Sequence, residues 1–403
     1  MVARRFSGSN MAALKQKNRT AILAAIRQQQ GMSRVALSEA IGLSRGGLTP
    51  LVDELIGLGL IRETSAEKTL SGRKPMKLEL CPQRCYAVAV DWTRSHIQTA
   101  LVDFGGNMTA ITAEKIIPQQ LGDEAISHMI QAVRALCKQQ EAVIGIAVVA
   151  PGPLDSVRGV IECPPGFGGL HDIPVVEALR AEFSMPVFLD NNANAHAIAE
   201  KSFGYGREYA HLLHITVDEG IGGGLIVDGE LFRGAMNRGS ELGHITIQQN
   251  GAQCPCGNVG CAELYAAIPA MVADAAEQTG EHDLRWDALY PLLAKPEGVY
   301  KQIIDREAMH LSHMIVSAIN LFTPQVVVLG SQITFAGEYL LQALQRIIGE
   351  RCFHEGARRI PVFYSKLQGP SLLGGASLVF DAFREGALGC YEQVLEGMAH
   401  NEN

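Results

Sequence analysis

His244, Cys254, Cys256 and Cys261 lie within 18 consecutive residues and carry the clearest chemical signal in the sequence. Three thiolates and an imidazole complete a tetrahedral shell around zinc, and a shell with four protein ligands has no open position for catalysis. Glycines stand between the sulfurs in Cys254-Pro255-Cys256-Gly257-Asn258-Val259-Gly260-Cys261 and permit the sharp turns such a shell needs. A disulfide among the three is the competing reading, and a reducing compartment disfavours it. The expected cofactor is one structural Zn2+ per chain. Cys81 and Cys85 have no histidine beside them and read as ordinary thiols, and the other four cysteines read as small buried side chains.

A second group of residues suits nucleic acid. Residues 1–80 hold 13 Lys/Arg against 6 Asp/Glu, a net of +7, and because the whole chain is −8 the remainder carries −15. A basic head on an acidic body is the electrostatic footprint of a nucleic-acid-binding module. Ser44, Arg45 and Thr49 fall near the start of an expected helix, from which base edges in a major groove are reachable. Arg73 and Lys74 fall in an expected turn, where they suit phosphates or a narrow A·T-rich minor groove. A helical hairpin for protein contacts is the competing reading.

The elements that position these residues follow from spacing. Met11 to Gln30 reads as a helix with Leu14, Ile22 and Ile26 on one face. Ser33 can cap a second helix carrying Val35, Leu37 and Ile41. Gly42 permits a tight turn, and Ser44 can cap a third helix with Leu48, Val52, Leu55 and Ile56. Two short helices about a glycine turn predict a helix-turn-helix. Gly46, Gly47 and Pro50 suit a helix interior poorly, so a later start with Thr49 as cap and Pro50 at the first position is the other option. Leu60-Ile61-Arg62, the turn Ser71-Gly72-Arg73-Lys74-Pro75 and alternating Met76, Leu78 and Leu80 predict a wing.

At 403 residues the chain exceeds one ordinary core. No apolar run reaches the roughly 18 residues that span a bilayer, and the first sixteen residues lack the apolar stretch of a secretory signal. The expected location is the cytoplasm. Beyond residue 80, the segments 86–91, 97–103, 145–150, 186–190, 211–217 and 325–329 read as short buried strands, with helices from Asn191 and over 301–320. Gly220-Ile221-Gly222-Gly223-Gly224 reads as a glycine loop ahead of Leu225-Ile226-Val227. Strands alternating with helices predict an α/β body.

Together these pieces resemble the ROK family (repressors, open reading frames and kinases), and within it the DNA-binding branch of N-acetylglucosamine-, xylose- and glucose-responsive repressors. The resemblance spans essentially the whole chain. Its most specific marks are Glu241-Leu242-Gly243-His244 and the run from Cys254 to Glu263. It implies an N-terminal winged helix-turn-helix over 1–80, then an actin-like (ribonuclease H-like), two-lobed sugar-kinase fold. The first lobe would cover 81–193, completed by a C-terminal helix over 376–403. The second would cover 194–375, with the zinc site and the oligomer contacts. The resemblance places a sugar or sugar phosphate against Asn191, Asn192, Glu241, His244 and Glu263. His244 would give one ring nitrogen to zinc and the other to the sugar. It further implies a homodimer or homotetramer on palindromic, double-stranded operator DNA, repressing genes of carbohydrate uptake and catabolism. A transporter protein as effector is the alternative it leaves open.

The same resemblance argues against an enzyme. Active ROK kinases have Asn-Asp where this chain has Asn191-Asn192, and an amide cannot take a hydroxyl proton as a carboxylate does. Their Asp-x-Gly-Gly-Thr loop is here Asp91-Trp92-Thr93-Arg94-Ser95, without the glycines that bring backbone to phosphate. Their Gly-Thr-Gly is here Asp218-Glu219-Gly220, whose carboxylates repel a nucleotide. Gly330-Ser331-Gln332 thins the adenosine-side glycines, and Pro164-Pro165-Gly166 replaces a usual Pro-Asn. No catalytic residue is expected.

Overall fold

The computed structural model describes residues 11–64, 76–116, 122–164, 167, 169–235, 237–389 and 391–397. They fall into two compact units, residues 1–189 with 375–403, and residues 190–374.

The first unit opens with α1 (Met11–Gln28), α2 (Arg34–Ile41) and α3 (Arg45–Gly57). Ser33 caps α2 by accepting from the Ala36 N–H, Gly42 ends it at φ 68°, and Ser44 caps α3 by accepting from the Gly47 N–H. So α3 begins at Arg45 and Pro50 lies inside it, not at a late first position. The missing Pro50 N–H leaves the Gly46 carbonyl without its usual partner, and Gly46 is exposed, so water can serve it.

The three helices close over Ile22, Leu23, Ile26, Leu37, Leu48, Val52 and Leu55, each at most 1% exposed. Leu14 and Val35 do not join this core, being 46% and 39% exposed. At 3.6 residues per turn Leu14 points roughly 80° away from Ile22, and Val35 lies nearly opposite Leu37. α1 stops at Gln28, short of Gln30, because Gly31 turns at φ 80° and gives its N–H to the Leu78 carbonyl. The strands β1 (Ile61–Thr64) and β2 (Lys77–Leu80) pair antiparallel, Ile61 opposite Leu80. The wing turn with Arg73 and Lys74 lies outside the described residues.

The rest of this unit contains β3 (Tyr86–Trp92), β4 (His96–Asp103), β5 (Met108–Lys115), α4 (Asp123–Gln139), β6 (Val143–Ala150), β7 (Leu154–Asp155), β8 (Val160–Ile161), α5 (Val175–Glu182) and β9 (Val187–Asn191). The main sheet runs β5-β4-β3-β6-β9. α4 buries Ala125, Met129, Val133 and Leu136, a single helical stripe, against that sheet.

The second unit contains α6 (Asn192–Phe203), β10 (Leu212–Val217), β11 (Ile221–Val227), β12 (Glu230–Leu231), α7 (Glu263–Ala266), α8 (Ile268–Thr279), α9 (Trp286–Ala294), α10 (Gly298–Phe322), β13 (Val326–Gly330), α11 (Glu338–Arg351) and β14 (Val362–Tyr364). Its sheet runs β12-β11-β10-β13-β14. Both sheets follow one plan: an antiparallel three-strand meander, then two strands reached through helical crossovers. That duplicated plan is the ribonuclease H-like lobe of the actin-like fold.

In place of the single helix expected over 376–403, the described residues form two, α12 (Pro370–Arg384) and α13 (Tyr391–Gly397), separated by turns at Gly386 and Gly389, with α13 in the first unit. There the Arg384 carbonyl accepts from Gln16 and Thr20 of α1, both at 2.5 Å, and from the Tyr391 hydroxyl at 2.8 Å.

β11 corrects one expectation, because Gly222, Gly223 and Gly224 form a strand and not a loop. A Cβ on Gly224 would lie 2.5 Å from the Ala193 oxygen, and one on Gly222 2.8 Å from the Ala193 Cβ. A Cβ on Gly223 would lie 2.5 Å from the Ser240 oxygen. Successive strand residues face opposite sides. The bare strand therefore lets α6 pack on one face and the Ser240 segment on the other. The cysteines supply a second correction. Cys352 is buried and Cys390 lies outside the described residues, but Cys163 is exposed and Cys137 half-buried, since one thiol is too small to dictate where a loop or helix face lies. No helix among the described residues is long and apolar enough to cross a membrane.

Candidate functional site

The candidate metal-binding cluster is built by two turns and two glycines. Cys254 accepts the Gly257 N–H and gives its own to the Asn258 carbonyl, and Gly257 sits at φ 96°. Gly260 sits at φ 71°, where any Cβ would strike the Gln248 carbonyl oxygen. These turns and a short 3-10 turn over Leu242–His244 bring the ligand atoms of His244, Cys254, Cys256 and Cys261 within 4.8 Å of one another. The Cys256 and Cys261 sulfurs are 3.7 Å apart, and the Cys254 sulfur is 3.8 Å from His244 Nδ1. Tetrahedral bonds of about 2.3 Å separate two sulfurs by roughly 3.8 Å, far beyond a disulfide's span of about 2 Å. The donor set and its spacing fit a tetrahedral metal.

Asn258 was missed by the sequence reading. Its side-chain amide donates to the His244 carbonyl at 3.1 Å, to Thr246 Oγ1 at 3.0 Å and to the Cys261 sulfur at 3.4 Å. Such a donor fixes ligand orientation. The only sequence signal was its place between the cluster's cysteines.

The acidic residues flank this cluster. Glu263, at the start of α7, lies 3.6 Å from His244 Nδ1 and 3.8 Å from the Cys254 sulfur. A Cβ on Gly220 would lie 3.1 Å from the second oxygen of Glu263. Desolvation pushes the Glu241 carboxyl above its usual range, with Glu263 adding to the rise and His244 and Arg238 opposing it. Asn191 caps α6 by accepting from the Ala193 N–H at 2.8 Å, and Asn192 accepts from the same group at 2.9 Å. So Glu263 lies beside His244 and Cys254, and Ser240, next to Glu241, packs against Gly223, while Asn191 and Asn192 start α6, which packs against Gly222 and Gly224.

In the head, Ser44, Arg45 and Thr49 are exposed on the first turns of α3, with Thr49 Oγ1 donating to the Arg45 carbonyl at 2.9 Å.

The chain belongs to the ROK family, which it matches over residues 87–382. Among curated proteins it is similar to the xylose repressor of Caldicellulosiruptor bescii, 28% identical over 408 residues, covering 96% of this chain and 98% of that one. Among solved structures it is similar to a ROK family transcriptional regulator, a homologue of the E. coli Mlc protein, at 25% identity and a TM-score of 0.80, covering 96% of this chain and 100% of that one. The ROK hexokinase from Thermus thermophilus aligns at 28% identity and a TM-score of 0.65, covering 75% of this chain and 100% of its own. The two regulators match nearly all of this chain, whereas the complete kinase leaves a quarter of it unmatched.

Proposed function

We propose that this chain is a sugar-responsive transcriptional repressor of carbohydrate uptake and catabolism genes, acting in the cytoplasm as a homodimer or homotetramer on palindromic operator DNA. The observation that carries this reading is α3, whose capped first turns leave Arg45, Gly46, Gly47 and Thr49 exposed in a head of net charge +7. Arg45 and Thr49 would read base edges, the two glycines would admit close backbone approach, and Arg73 and Lys74 would hold phosphates.

The body would sense without catalysing. In the loop where the family's kinases hold phosphate, the Thr93, Ser95 and His96 N–H groups are already taken, by the His96 carbonyl and the Thr93 hydroxyl. A phosphate cradle needs such groups free. In the second loop, Asp218 accepts from the Ser331 hydroxyl at 2.5 Å, and this carboxylate would repel the phosphates of a nucleotide bound there.

Zinc suits the three thiolates and the imidazole, and it would hold His244 and Glu263 rigid with no position open for chemistry. Asn191, Asn192, Glu241, His244 and Glu263 would take the sugar hydroxyls. The ligand changes operator affinity only by its differential affinity for two conformations of the protein.

Gel shift with the upstream region of the protein's own gene and an unrelated duplex, both at fixed salt, tests the DNA reading. A clear preference for the upstream region is expected, and equal binding would overturn it. A coupled ADP-release assay with D-xylose, D-glucose and N-acetyl-D-glucosamine tests the rest. Turnover of any of them would overturn the non-catalytic body.

A further inference from the structure

The segment that carries Glu241 leaves the sheet after β12 and closes into a narrow neck. The Gly239 N–H donates to the Arg233 carbonyl at 3.0 Å, and Gly234 and Gly239 lie so close that a Cβ on Gly234 would be 3.2 Å from the Gly239 Cα. Asn237 at φ 55° and Ser240 at φ 67° complete the turn, and Glu241 follows at once. From the base of this neck the Arg233 guanidinium reaches Asp190 Oδ2 at 2.7 Å.

Asp190 is 2% exposed. Its other oxygen accepts from the Asn191 N–H at 2.8 Å and from Asn194 Nδ2 at 2.9 Å. One buried carboxylate thus ties the first turn of α6 to the neck of the Glu241 segment, around the bare glycines of β11. A carboxylate this deeply buried is costly without a compensating charge, and Arg233 supplies it.

We propose that Arg233 is a positioning residue of the ligand site, which through Asp190 sets the distance between Asn191 and Glu241. This rests on the reading that those two residues bind sugar. The contact is an ion pair through one guanidinium nitrogen, so what Arg233 supplies to Asp190 is a compensating charge held at a fixed reach from the neck.

Arg233→Ala, Arg233→Lys and the double variant Arg233→Ala/Asp190→Asn separate positioning from mere charge balance. Ligand affinity is read by calorimetry with D-xylose, D-glucose and N-acetyl-D-glucosamine, and fold stability by thermal unfolding. Arg233→Ala should unfold at lower temperature and weaken the sugar that the wild type binds by roughly ten- to a hundred-fold. The double variant has no uncompensated buried charge, so it should regain thermal stability yet remain weak for ligand, and Arg233→Lys should fall between. A double variant that binds as the wild type does would overturn the proposal. Hydrogen exchange without ligand decides the matter even if the wild type binds none of these sugars, a result that would count against the sugar reading alone. The amides of residues 237–243 should exchange faster in both Ala-containing variants, and unchanged protection would overturn Arg233's role.

Discussion

Lowering the pH from 7 to 5 should destabilise the second unit through one buried imidazole. His196 lies on α6, 6% exposed, with Nε2 2.9 Å from the Ser371 hydroxyl and Nδ1 3.2 Å from the Thr216 hydroxyl. Its ring meets that of His214 edge to face at 5.5 Å. Burial lowers the His196 pKa from 6.5 to about 4, so in this window the unfolded chain takes a proton that the folded chain refuses. The stability it contributes is present above pH 6.5 and is lost as pH falls toward 4. Each pH unit of separation is worth about 1.4 kcal/mol, so the loss totals about 3 kcal/mol, of which about 2 kcal/mol is reached at pH 5. Burial and the neighbouring His196 lower His214 as well, which acts in the same direction. Glu200 and Glu307 act oppositely, because burial raises both carboxyls and the folded chain then holds their protons more tightly.

A difference between variants isolates His196 from these neighbours. The chain has two tryptophans, and Trp286 lies in the second unit, so a Trp92→Phe background gives a fluorescence signal from that unit alone. Urea unfolding with and without His196→Gln, at pH 7 and pH 5, should show the His-containing protein losing about 2 kcal/mol more than the Gln protein over this interval. Equal losses would refute the assignment of a buried neutral imidazole.

Other expected outcomes concern metal and DNA. Cys256→Ser should lose its equivalent of zinc by elemental analysis and unfold at lower temperature, and a variant that keeps the metal would contradict the ligand set. Ser44→Ala should cost about 1 kcal/mol of stability through the lost cap of α3, and gel shift should show weaker operator binding. Unaltered operator affinity would take the α3 terminus out of the interface. Replacing Arg73 and Lys74 by Ala should weaken operator and non-specific DNA alike and lower the salt slope by up to about 2. An unchanged slope would remove the wing from the interface.

The sequence was most legible where chemistry is local. Ser33, Gly42 and Ser44 announce caps and a turn because each acts on backbone within three or four residues. The cysteine run is legible for the same reason, since its turns close within eight residues. Glycine is ambiguous by nature. The absence of a Cβ at 222–224 serves packing against Ala193 and Ser240, and nothing local distinguishes that from a loop. β5 was missed because most of it is exposed and carries no apolar alternation. Pro50 argued for a late helix start because composition does not show that the opposing Gly46 carbonyl faces water. Arg233 gave no signal, because its partner Asp190 is 43 residues away and belongs to no spacing pattern.

In the proposed function, a ligand in a non-catalytic kinase-like body controls DNA binding by the head. Fluorescence anisotropy of a labelled duplex from the upstream region, titrated with protein at one fixed salt concentration, tests it most directly. Parallel titrations would contain D-xylose, D-glucose, N-acetyl-D-glucosamine or the 6-phosphates of the last two. One of them should shift the operator midpoint several-fold while non-specific binding stays unchanged. A midpoint that none of them moves would contradict a sugar-responsive repressor.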